Sequence, residues 1–123
     1  MPARCSITSR QDARPACHDM YPLREASFLA VLKTFGGLPS PGLLSFPREG
    51  ATLALDFPNR GASTLQLMDR LDAIVRDAAG ALYPAKDGRM SAAMLRSGYP
   101  GLEQLKSHID PAFESDFWRR VRS

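Results

Sequence analysis

The sequence predicts an α+β fold, an antiparallel sheet with helices packed on one face, and three stretches carry that expectation. Ala62 to Ala79 repeats apolar residues at helical spacing: Leu65, Met68, Leu71, Ile74, Val75 and Ala78 form one stripe, and Asp69, Asp72, Arg76 and Asp77 the other. Ser27 to Phe35 and Ala51 to Phe57 are instead short runs rich in strand-forming residues and bounded by Gly or Pro. A single long helix between short strands reads as one α+β layer pair, and 123 residues allow one domain of that size.

Taken in order, residues 1–24 are rich in Arg, Ser, Pro and Ala, include Pro2, Pro15 and Pro22, and are expected to be a disordered, removable tail; the domain is expected over residues 25–123. Ser27 to Phe35 reads as a strand that is apolar on both faces apart from Lys33. Such a strand is expected to be central or covered on both sides, with its lysine pointing into a pocket or reaching an edge. Gly36 to Gly42, with Pro39 and Pro41, reads as an irregular loop. Leu43 to Phe46 and Ala51 to Phe57 read as a hairpin about Arg48-Glu49-Gly50.

The second strand of that hairpin has two different faces. Leu53, Leu55 and Phe57 share one, which the long helix is expected to cover; Thr52, Ala54 and Asp56 form a small, polar face that leaves room for a ligand or simply meets water. Ser63 and Gln66 have the spacing of a capping box at the helix start, and Gly80 stands where a helix-ending glycine belongs. Ala81 to Tyr83 then reads as a short strand closed by Pro84 and Asp87-Gly88, a turn that carries Lys86 out of the sheet. Ser91 to Ser97 and Leu102 to Ser107 read as short helices. Phe113, Phe117 and Trp118 are expected to anchor the C-terminus, and Arg119, Arg120 and Arg122 to be a solvated end.

Charge and composition exclude several classes. Of the net charge of +3, two units lie in residues 1–24, where Arg4, Arg10, Arg14 and Arg24 face Asp12 and Asp19, so the basic balance is no designed nucleic-acid face. Cys5 and Cys17 form no disulfide framework, and with His18 they match no common zinc spacing. No apolar run reaches the roughly 18 residues that span a bilayer and no signal-peptide core is present, so a cytoplasmic protein is expected.

Read together, SFLAVLKTFG, YPAKDGR and the later DP, SD and RR pairs resemble the C-terminal part of the vanillyl-alcohol-oxidase-type FAD-linked oxidases, over about residues 26–123. Within that family the resemblance is to sugar-lactone oxidases of the D-arabinono-1,4-lactone and L-gulono-1,4-lactone kind, alditol oxidases and decaprenylphosphoryl-β-D-ribose 2-oxidases. It implies a partial substrate-binding cap domain and, for the full-length relatives, oxidation of a sugar, polyol or aldonolactone C–OH with hydride transfer to FAD. It implies a catalytic and cofactor-facing role for Lys86, and a substrate-side position for Lys33, with Thr52 and Ala54 lining the same pocket. A cation beside the flavin pyrimidine stabilises the charge that develops as hydride arrives.

The sequence departs from the family pattern in having no glycine-rich FAD domain ahead of this segment, and the gap between Asp110-Pro111 and Ser115-Asp116 is two residues short. The chain alone is therefore expected to carry no FAD and to need a separately encoded FAD-binding half. The alternatives are a free-standing α+β interaction or regulatory module, or a non-functional remnant.

Overall fold

The computed structural model describes residues 3–9, 27–86 and 88–122, with the backbone alone for residues 3–9 and for Lys86. The fold is α+β. Four antiparallel strands, β1 (Ala3–Ser9), β2 (Leu29–Phe35), β3 (Gly50–Phe57) and β4 (Ala81–Leu82), form one sheet in the order β2-β3-β1-β4. The helices are α1 (Ala62–Asp77), α2 (Ala92–Gly98), α3 (Leu102–Lys106) and α4 (Asp116–Val121).

Residues 3–9 do not behave as the disordered tail that composition suggested. They form β1, which lies between β3 and β4 and pairs with β3 from Ala3↔Phe57 to Ser9↔Ala51. The physical reason is the alternation of Ala3, Cys5 and Ile7 with Arg4, Ser6 and Thr8, a period of two that suits a strand with unlike faces. The rest of the expected tail, residues 10–24, lies outside the described residues, as does the Cys17-His18 pair.

The predicted covering of β2 is also corrected, since among the described residues β2 is an edge strand. Phe28, Leu29 and Leu32 are at least half exposed. Its partner is β3, with Lys33 opposite Thr52, Val31 opposite Ala54 and Leu29 opposite Asp56. Leu43 to Phe46 is no strand; Ser45 N donates to the Gly42 carbonyl in a turn, and the expected hairpin about Arg48-Glu49-Gly50 is replaced by the longer β2–β3 connection.

The core forms between α1 and one face of the sheet. Leu55 and Phe57 of β3 join Leu67, Met68, Leu71 and Val75 of α1, with Leu53 and Ile74 partly buried beside them. Leu65, expected in this stripe, is 48% exposed, and Leu67 takes its place. α1 lies over β1 and β4. Met94 and Leu95 of α2, Leu102 of α3 and Val121 of α4 complete the core, and α2 packs against β4.

The ends of α1 differ from the expected caps. Gly61 (φ 77°) is the N-cap and no side chain caps the helix; Thr64 instead accepts from Arg60 N and donates to the Pro58 carbonyl. At the other end Ala79, not Gly80, takes the left-handed position (φ 51°). Ala79 N donates to Arg76 O and Gly80 N to Val75 O, the paired bonds of a Schellman motif. α2 and α4 do have side-chain caps, Ser91 accepting from Met94 N and Ser115 from Trp118 N.

The C-terminus is tied down more firmly than a solvated end. Val121 is buried, Phe117 and Trp118 pack on the core, Arg120 Nε donates to the Met90 carbonyl, and Arg122 and Arg119 pair with Glu114. Phe113, expected as an anchor, is 81% exposed.

Candidate functional site

Strand alternation creates the site. With Leu53, Leu55 and Phe57 committed to α1, Thr52 and Ala54 must face the other way, and antiparallel pairing sets Lys33 and Val31 beside them. On that face lies a cavity of about 460 Å³, within the range that takes a small ligand.

Its floor is β2 and β3, through Val31, Lys33, Phe35, Thr52 and Ala54. Its walls are Leu44, Phe46 and Pro47 from the β2–β3 connection and Tyr83 and Pro84 from the end of β4. The Phe46 and Tyr83 rings meet with centroids 5.0 Å apart at 51°, which joins the two walls.

Three of the four residues singled out in the sequence thus line one cavity: Lys33, Thr52 and Ala54. Thr52 is buried, Lys33 is exposed at the sheet edge, and Ala54 lies between. A lysine at the mouth, a hydroxyl-bearing residue on the floor and apolar walls suit a ligand with one hydroxylated or anionic end and one flat or apolar part. The fourth residue, Lys86, ends the 3-10 turn Pro84–Lys86, whose first residue lines the cavity. Its side chain lies outside the described residues.

The turn that carries Lys86 is anchored on both sides. Upstream, Leu82 pairs with Ile7 in the sheet and its carbonyl accepts a 2.6 Å bond from the Tyr99 hydroxyl. Downstream, Arg89 grips Asp72 with two bonds of 2.7 and 2.8 Å and Asp69 with a third of 3.0 Å, fixing the chain to α1.

Sequence reasoning missed the walls. Leu44, Phe46 and Pro47 sit in a connection with no periodicity to betray a facing direction, and Tyr83 reads as an ordinary strand residue. Among the described residues no cluster of His, Cys, Asp or Glu could hold a metal ion, and no helix is long and apolar enough to cross a membrane.

These features define a cavity on the face of the antiparallel sheet opposite α1. No protein-family model matches the chain. It is similar to a Streptomyces coelicolor protein described as an uncharacterized protein in the mprA 5' region, with 40% identity over 96 residues, covering 74% of this chain and 26% of that protein. It is also similar to the decaprenylphosphoryl-beta-D-ribose oxidase of Mycolicibacterium smegmatis (strain ATCC 700084 / mc(2)155), with 37% identity over 102 residues, covering 78% of this chain and 22% of the oxidase. The chain thus spans about a quarter of the length of these relatives. The second similarity supports a relationship between this segment and the FAD-linked oxidases.

Proposed function

We propose that this chain forms the substrate-side wall of a FAD-linked oxidase that oxidises a C–OH group of a sugar, polyol or aldonolactone. The observation that carries the reading is the meeting of Lys33, Thr52 and Ala54 in one cavity, beside the turn that bears Lys86. The partial similarity to an oxidase points the same way.

In this reading Lys33 donates hydrogen bonds to the polar end of the substrate from the cavity mouth. The Thr52 hydroxyl orients it from the floor, and the small Ala54 side chain leaves space for it above β3. Lys86 contributes the positive charge that steadies negative charge developing on the oxidant. FAD supplies the hydride acceptor. A cavity of about 460 Å³ fits a substrate or one edge of a flavin ring, while the rest of the dinucleotide falls to a FAD-binding partner polypeptide.

The test is a graft. The whole chain, β1 included, replaces the matching segment of the Mycolicibacterium smegmatis oxidase, and oxidation of a panel of sugar, polyol and lactone substrates is followed through flavin absorbance. The expected result is turnover, with Lys33→Met raising KM at nearly constant kcat, as losing uniform substrate binding does. A flavin-loaded graft that oxidises no member of the panel would sink the reading.

A further inference from the structure

We infer that the outer edge of β2 is a symmetric docking surface for a second copy of this chain, the two β2 strands pairing antiparallel about a twofold axis through Ala30. This inference is independent of the proposed oxidation.

The exposed large apolar residues of β2, with Phe28 in the bend just before it, are arranged symmetrically in sequence. Phe28 (65% exposed), Leu29 (51%), Val31 (37%) and Leu32 (64%) lie two on each side of Ala30, which is itself exposed. A twofold axis at Ala30 sets Phe28 opposite Leu32 of the partner subunit and Leu29 opposite Val31 of the partner subunit, and the symmetry repeats both pairs. The alternation of a strand sends Phe28, Ala30 and Leu32 to the helix side of the sheet, and Leu29 and Val31 to the cavity side. Both faces of the joint therefore close over apolar pairs, of the kind that stabilises neighbouring strands.

Charge agrees with this register. Lys33 is the sole charged residue of β2, and the same axis puts it opposite Ser27 of the partner subunit, so the two lysines never face each other. A register centred on Lys33 would oppose like charges and set Leu29 opposite Gly37. Between residues 28 and 32 the edge carries none of the charges or prolines that usually block strand addition.

The uncovered helix-side face fits the same occupant. α1 lies over β1 and β4, at the other side of the sheet, so Phe28 and Leu32 have no helix above them among the described residues. Joining two copies turns two four-stranded sheets into one of eight strands. It also places Leu29 and Ser27 of the partner subunit at the cavity rim, beside Val31 and Lys33.

Sedimentation velocity of the whole chain at high micromolar concentration tests this. The expected mass is twice the 13.5 kDa of one chain. Because Ala30 lies on the axis and opposes itself, Ala30→Lys and Ala30→Glu should each give single chains with unchanged circular dichroism. Mixing the two variants in equal amounts should restore the double mass. In the parent chain, amide protection over residues 28–32 should rise with protein concentration, a readout that needs no variant to fold. A parent chain that stays single, a dimer that survives Ala30→Lys, a mixture of folded variants that stays single, or protection that ignores concentration each overturns the inference. The first of these outcomes would leave the edge to a strand of a different polypeptide.

Discussion

The Tyr99 hydroxyl donates a 2.6 Å hydrogen bond to the Leu82 carbonyl, joining the C-terminal cap of α2 to the last paired residue of β4. Both residues are buried, Tyr99 at 2% exposure, so neither group has ready access to water. Arg48 lies over the Tyr99 ring at 5.8 Å and donates to the Gly98 carbonyl, closing the same corner from the β2–β3 connection. Tyr99→Phe keeps the ring and orphans the carbonyl. The expected loss is about 1–3 kcal/mol, read as a lower midpoint in urea with an unchanged slope.

The same residue gives the fold an alkaline limit. Burial pushes the Tyr99 phenol well above its ordinary range, an effect that the nearby Arg48 charge only partly opposes. In the unfolded chain a tyrosine ionises near pH 10. Below that pH the phenol is neutral in both states and its contribution is fully present. Above it the unfolded state gives up a proton that the folded state keeps, so stability falls as pH rises. Denaturant midpoints measured from pH 8 upward should show this decline, and Tyr99→Phe should make it shallower.

Ala79 holds a left-handed conformation, φ 51°, that glycine adopts without a Cβ penalty. Ala79→Gly should therefore raise the thermal midpoint. Relief of strain of roughly 1–2 kcal/mol is partly offset by about 0.4–1 kcal/mol of added freedom in the unfolded chain, leaving a gain of a few degrees. A lowered midpoint would show that the position is not strained.

Arg89 and Asp72 are both mostly buried along their side chains, at 23% and 14% exposure, and their contact is a two-pronged one. Arg89→Lys keeps the charge and loses the fork, so it should destabilise nearly as much as Arg89→Met, on the order of 1–2 kcal/mol. Full rescue by lysine would mean that charge alone matters there.

Removing residues 1–9 should unfold the domain, because β1 fills the position between β3 and β4 and pairs along the length of β3. Far-ultraviolet circular dichroism of the shortened chain checks this. A shortened chain with the parent's spectrum and thermal midpoint would show that β1 is dispensable.

How far the sequence could be read depended on how much each signal was averaged. α1 is sixteen residues long, and its stripe was legible down to Met68, Leu71 and Val75. β1 is hard to read because its seven alternating residues run into a proline-rich stretch that lacks periodicity. The face of β3 was legible from Thr52 and Ala54 alone, since a strand covered by a helix on one side leaves the alternate residues free, and those two do line the cavity with Lys33. Whether β2 was central or at the edge was not legible. An apolar run on both faces looks the same whether its own chain covers it or a partner does, and strand order depends on long-range pairing. A glycine after a helix usually marks the left-handed position, which points to Gly80, but here Ala79 takes it one residue earlier.

The account turns on Lys86, whose backbone ends the turn that begins at Pro84 on the cavity wall. The direct measurement is the rate of flavin reduction by substrate in rapid mixing, comparing the graft of the whole chain with the same graft carrying Lys86→Met. The account predicts a fall on the order of 10²-fold or more, with FAD content and thermal midpoint unchanged, as when one charge-stabilising group is removed. Equal rates in the two proteins would contradict it and make Lys86 a solvated turn residue.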